Sequence, residues 1–193
     1  MARILILDTE TTGFPIREIG GTNPLYTDSQ AWDPCRLLEI AWNIYNIDGT
    51  PVKKTDYLIK PDYPEKKNEE ALRAFNIHKI SFEKVSEKGN SLKEILLALL
   101  QDIDTFKVDM IVAHNIDFDK GVILSEMYRL GSMGDEIIKF LAINTHCTMK
   151  SNLRPDGRWY KLSDLYKVKT GLDMENCHQA KDDTEACAKI YFS

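Results

Sequence analysis

The chain has 193 residues, 43% of them hydrophobic, and a formal net charge of −5. That length supports one domain with a sizeable core, and the acidic balance argues against a broad electrostatic grip on a duplex. No apolar run approaches the roughly 20 residues of a bilayer span, and Cys35, Cys147, Cys177 and Cys187 are scattered without a CxxC pair, which excludes a recognisable zinc-ribbon or disulfide framework.

The expectation is therefore a single cytoplasmic domain over 1–193 with no membrane association. The run Ile4 to Leu7 is too short for the core of a signal peptide. Its continuous β-branched and leucine character reads as a buried strand ending at Asp8. Along a strand, side chains alternate faces, so Asp8 and Glu10 point the same way. Adjacent acids repel unless a proton or a cation lies between them, and Mg²⁺ or Mn²⁺ suits such an oxygen pair. Taken alone, the pair fits a turn residue followed by a solvated acid better than a metal site.

Residues Thr12 to Arg36 carry Pro15, Gly20, Gly21, Pro24 and Pro34 with no sustained periodicity. They read as a long loop, of the kind that is functional or disordered. Leu37 to Ile47 and Val52 to Lys60 read as strands joined at Asp48-Gly49, hence an antiparallel hairpin. Pro61 to Pro64 stops it, and Glu69 to Phe75 is a short helix. Ser91 with Glu94 forms a capping-box pattern before Leu92, Ile95, Leu96, Leu99, Leu100 and Ile103 at helical spacing. Asp109 to Ala113 is a short buried strand. A helix marked by Phe118, Val122, Ile123, Met127 and Leu130 follows and ends at Gly131. Ala142 to Met149 is weakly extended, and Leu162 to Val168 and Lys181 to Phe192 are helical. This order predicts an α/β layered domain built on a mixed sheet.

Two further clusters carry chemistry. Ala113-His114-Asn115-Ile116-Asp117-Phe118-Asp119 lies where a buried strand passes into a helix, the place where ligands collect in α/β sheets. Asp117 fits a plain cap better than Asp119 does. In Cys177-His178-Gln179-Ala180-Lys181-Asp182-Asp183, His178 and Asp183 are five apart. On one helix they would point about 140° apart, so they converge only if His178 sits in the preceding loop. The plain alternative makes Asp182 a cap with Glu185 as its partner. Lys150, Arg154, Arg158, Lys161, Lys167 and Lys169 make the segment from Thr145 to Gly171 basic, either as a solvated face or as a phosphate-contacting patch.

In this order the clusters resemble the DEDDh-type 3′–5′ exonucleases. Asp8-Thr-Glu10-Thr-Thr-Gly13 is similar to that family's first motif, Ala113-His114-Asn115 through Phe118-Asp119 to its second, and His178 through Asp183 to its third. Ile77-His78-Lys79-Ile80-Ser81 and Lys161-Leu162-Ser163-Asp164-Leu165 are smaller echoes, and Lys79 stands where the family has glycine. The loop from Phe14 to Arg36 is longer than the family carries.

The resemblance implies a ribonuclease H-like fold: a five-stranded mixed sheet, its second strand antiparallel, with helices on both faces. It implies that Asp8, Glu10, Asp119 and Asp183 hold two Mg²⁺ or Mn²⁺ ions and that His178 is the general base. Nucleoside 5′-monophosphates would leave from the 3′ end of single-stranded nucleic acid, with DNA favoured and RNA open. Backbone groups of Thr11, Thr12 and Gly13 would meet the terminal nucleotide, together with His114 and Asn115, and Phe14 or Phe118 would stack on a base, Phe118 being equally a core residue. Lys150, Arg154, Arg158 and Lys161 are candidates for a cationic track. Members that act alone are often dimers, so a homodimer is one expectation. A polymerase partner and a role in DNA repair stay open, and the short segment after the last motif favours a stand-alone enzyme. The alternatives are a catalytically weak binding or polymerase-associated module of the same fold, and a nuclease that cuts internally.

Overall fold

The computed structural model describes residues 2–17, 21–175 and 177–193. Five strands form one sheet in the order β3-β2-β1-β4-β5: β1 Arg3–Thr11, β2 Leu37–Asn46, β3 Pro51–Leu58, β4 Val108–Ala113 and β5 Asn144–Cys147. β2 runs antiparallel to both β1 and β3, whereas β1, β4 and β5 are mutually parallel. This is the ribonuclease H-like α/β arrangement. Among the described residues eight helices accompany it: α1 Ser29–Trp32, α2 Glu69–His78, α3 Phe82–Lys88, α4 Leu92–Phe106, α5 Ile116–Arg129, α6 Gly134–Ala142, α7 Leu162–Thr170 and α8 Ala180–Tyr191.

The apolar run of β1 is continuous because both of its faces are covered. Leu5 and Leu7 enter a large core with Trp42, Leu96, Leu99, Val122 and Phe140. Ile4 and Ile6 pack on the other face against Val112, Cys187 and Ala188 of α8. The predicted stripe of α4 is the buried one, including Ile95, Leu96, Leu99, Leu100 and Ile103. Ser91 stands at its N-cap but its side chain makes no capping bond, so the capping box is not formed. All four cysteines are free. No described helix is long and apolar enough to cross a membrane.

β1 runs three residues past Asp8, where the sequence predicts its end. β2 stays in register with it, pairing Asp8 with Ala41 and Glu10 with Glu39, before a bulge between Glu10 and Thr11. The two acids therefore lie inside the strand.

The long loop, of which 18–20 lie outside the described residues, is organised around Trp32. Asp28 caps α1 through the N–H of Ala31, and Trp32 is fully buried, its indole N–H donating to the carbonyls of Pro24 and Leu25. Gly121 of α5 makes that seat: a Cβ there would lie 2.5 Å from the Trp32 ring. Gly121→Ala is expected to cost up to about 3 kcal/mol by overpacking, against about 1 kcal/mol gained in helix propensity. The melting temperature should fall by roughly 4–8 °C; an unchanged value would mean that the indole does not rest on this glycine.

Candidate active site

The alternation that buries Ile4 and Ile6 beneath α8 carries Asp8 and Glu10 to the same face, where the first turn of α8 supplies Asp183. β4 runs parallel to β1, with Val112 opposite Ile6, so the chain leaving Ala113 turns beside Asp8. Asn115 makes that turn in the left-handed region at φ 76°, and Asp119 follows in the first turn of α5, only 2% exposed. Thr9, on the opposite face of β1 from Asp8, donates its hydroxyl to Asp119 Oδ1 at 2.8 Å and fixes that carboxylate.

His178 lies in the loop before α8, exposed, at φ 69°. Its backbone N–H donates to Asp183 Oδ1 at 3.2 Å. Side-chain donor atoms of Glu10, His178 and Asp183 lie within 4.8 Å of one another. Asp8 and Asp119 join this trio through their charges. Burial pushes the Asp8 carboxyl well above the usual range, and the carboxylates of Asp119, Asp183, Glu10 and Glu39 push it further. Burial first, then Asp183, Glu39 and Asp119, raises Glu10 to about 8. Asp119 is raised to about 7 by burial despite the Thr9 hydrogen bond, and Asp183 to about 6 by burial despite the His178 N–H. No cationic side chain among the described residues pairs with any of the four. Crowded carboxylates of this kind, with no internal counter-ion, suit hard divalent cations, so the residues present fit a Mg²⁺ or Mn²⁺ site.

The metal-free protein should accordingly titrate. Carboxyl pKa values raised in the folded state mean that the fold holds protons more tightly than the unfolded chain. That stabilisation is complete below the ordinary carboxylate range and is lost as pH rises through about 6 to 8. In EDTA the melting temperature should fall between pH 5 and pH 8.5, and millimolar Mn²⁺ should restore it most at the alkaline end. A melting temperature flat across that window and unmoved by Mn²⁺ would contradict the site.

Three supporting residues had no role assigned from the sequence. Glu39 lies on β2 directly opposite Glu10, and its Oε2 accepts the N–H of Ala180 at 3.0 Å, holding the start of α8. Its signal was a single charged residue inside a mostly apolar strand. Thr9, between the two acids, is the second. His78, the third, accepts the Ile80 N–H on Nδ1 at 2.9 Å, so Nε2 carries the proton and donates to the Thr11 carbonyl at 3.2 Å. Burial lowers its pKa to about 4, which keeps it neutral. The next residue, Lys79, sits at φ 59°, a conformation that favours glycine. That explains the glycine of the family pattern.

Neither proposed acidic cap forms. The N-cap of α5 is Asn115, and Asp117 instead pairs with Lys150. The N-cap of α8 is Gln179, Glu39 takes the Ala180 N–H, and Glu185 pairs with Lys54 at 2.8 Å.

The residues expected to meet the substrate are heavily engaged within the fold. Thr11 donates its hydroxyl to the Gly13 carbonyl, Thr12 to the Pro34 carbonyl, and the Phe14 N–H donates to Glu70. His114 uses both ring nitrogens, on Thr148 and on the Tyr160 carbonyl, each at 3.0 Å. Phe118 is half-buried against the main core and meets exposed Phe14 edge-on at 5.6 Å between ring centres.

The four acids and the loop histidine thus sit at one end of a mixed five-stranded sheet of ribonuclease H-like architecture. A family model described as "Exonuclease", that of RNase T, matches residues 5–191, and the chain belongs to that family, among the DEDDh-type 3′–5′ exonucleases. Solved structures agree in fold. E. coli exonuclease I in complex with a dT13 oligonucleotide superposes with a TM-score of 0.72 at 17% identity, covering 100% of this chain and 40% of that one. Its zinc-bound form with single-stranded DNA gives 0.66 at 17% over 99% and 40%. A moderately thermophilic exonuclease I from Methylocaldum szegediense gives 0.68 at 16%, over 98% and 40%. The chain thus spans about two fifths of the length of these enzymes. No curated protein sequence matches it.

Proposed function

We propose that the chain is a divalent-metal-dependent exonuclease that removes nucleotides from the 3′ end of single-stranded DNA and releases nucleoside 5′-monophosphates. The observation that carries this reading is the convergence of Asp8, Glu10, Asp119 and Asp183, acids with no cationic partner among the described residues, two of which, Glu10 and Asp183, meet a loop histidine. Family membership and the likeness to exonuclease I structures holding dT13 or single-stranded DNA support the substrate class.

Glu10, Asp183 and Asp8 would hold one Mg²⁺ or Mn²⁺, and Asp8 with Asp119 a second. Bound there, such ions neutralise the acids, polarise the scissile phosphate and ease ionisation of the attacking water. The chain's own residues do the rest. His178, exposed beside Glu10 and Asp183, takes the proton from that water. Thr9 holds Asp119 in one orientation, and Glu39 fixes the first turn of α8 and with it Asp183. Phe14, backed edge-on by Phe118, offers an exposed ring at the rim for the terminal base.

Side-by-side digestion of single-stranded DNA, duplex DNA with a 3′ overhang and RNA of the same sequence tests this. Single-stranded DNA should be shortened fastest with Mg²⁺ or Mn²⁺, and nothing should be shortened in EDTA. Activity that survives EDTA would overturn the metal assignment, and a preference for RNA would overturn the substrate assignment.

A further inference from the structure

The segment from Thr148 to Lys161 lies beside the acids, and the chemistry above does not use it. It leaves β5, whose Cys147 lies opposite Ala113 of β4, so it emerges at the same sheet end as His114 and the turn into Asp119. Contacts near both of its ends pin it there. Lys150 pairs with Asp117, two residues before Asp119, and the Tyr160 carbonyl accepts from His114 at 3.0 Å.

Between these pins the chain folds into a small hairpin. The Arg154 N–H donates to the Arg158 carbonyl, and the Gly157 N–H donates to the Arg154 carbonyl, both at 2.9 Å. Gly157 takes φ 78°, and Leu153 pairs with Trp159 across the two arms. Residues directly opposed in an antiparallel pair share a face. Leu153 and Trp159 therefore stand side by side, and each is 57% exposed, whereas Trp32 and Trp42 are at 0%. A hairpin this small has no interior in which to place an indole. Cationic groups flank the apolar pair: Arg154 lies 5.5 Å over the Tyr160 ring, and Lys161 follows directly.

We propose that Leu153 and Trp159 form a stacking step for a base on the 5′ side of the nucleotide being removed, a contact that rests on the exonuclease reading above. An indole face accepts any base, and the neighbouring cations match a phosphate backbone, so the step serves single strands of any sequence. A duplex end, whose bases are already stacked, gains nothing from it.

The test uses the inactive Asp8→Ala chain with Mg²⁺ and the oligonucleotide (dT)15 as probe. With Trp32 and Trp42 buried, Trp159 is the solvent-accessible indole, so (dT)15 should quench the protein's fluorescence, and Trp159→Phe should remove the quench. Trp159→Ala should weaken binding of dye-labelled (dT)15 roughly tenfold, and Leu153→Ala should weaken it less. Quenching that persists in Trp159→Phe, or unchanged affinity in Trp159→Ala, would overturn the step. So would a Trp159→Ala chain that binds (dT)15 normally but sediments as a smaller species, which would assign the patch to a second copy of the chain. Failure of the unaltered enzyme to shorten (dT)15 would instead overturn the exonuclease reading, because the quench reports the stacking contact without any cleavage.

Discussion

Asp8→Asn should abolish nucleotide release, by at least roughly 10³-fold, and should at the same time make the metal-free protein more stable. Both effects come from one position. Asp8 lies within the field of Glu10, Asp119, Asp183 and Glu39, and burial together with these carboxylates makes its ionised form costly. Asparagine keeps the shape and removes the charge. In EDTA at pH 8 the melting temperature should therefore rise by roughly 3–6 °C, equivalent to about 1–2 kcal/mol for a domain of this size. The Mn²⁺-induced increase should shrink, because the cluster has lost its central anion. An active site held at the expense of stability predicts these opposite signs. If Asp8→Asn lost activity and stability together, the carboxylate would be acting as a structural hydrogen-bond acceptor, and the metal-cage account would fail.

His178→Ala has the second largest expected effect, a fall in kcat of about 10²–10⁴-fold. The side chain is exposed and lies in a loop, so the fold should be unaffected. Its donor atom also lies within 4.8 Å of those of Glu10 and Asp183, which makes metal ligation the competing role. The thermal response to Mn²⁺ separates the two. As a base, His178 can be removed with the Mn²⁺-induced rise in melting temperature intact. As a ligand, its removal would reduce that rise along with the rate.

The parts of the fold legible in the sequence are those with a strong period or a strong turn. The run Ile4 to Leu7, the Asp48-Gly49 hairpin and the Leu92 to Ile103 stripe each specify an element locally. The short helices α3 and α6 were not legible. α3 buries only Val85, and α6 only Ile137 and Phe140, too few positions to establish a helical repeat. α1 was hidden for another reason: it exists because Trp32 seats against Gly121, a contact between segments far apart in the chain. The site divides in the same way. Its acids and His178 stood out through the family resemblance that the three motifs carry. Glu39 depends on strand register, which sets it opposite Glu10, and it displaces the cap that local rules assign to Asp182. The hydrogen bond from His78 to Thr11 joins residues 67 apart in sequence, and the left-handed position that would have marked it is occupied by lysine.

Cleavage at the Asp8, Glu10, Asp119 and Asp183 cage should be directional, from a 3′ end. A 5′-labelled single strand of DNA, incubated with the enzyme and Mg²⁺ and sampled over time, tests it most directly. The strand should give a ladder that shortens one nucleotide at a time from the 3′ end, with nucleoside 5′-monophosphates accumulating and a circular strand of the same composition left intact. Internal fragments from the circular strand, or a label released as the first product, would contradict it.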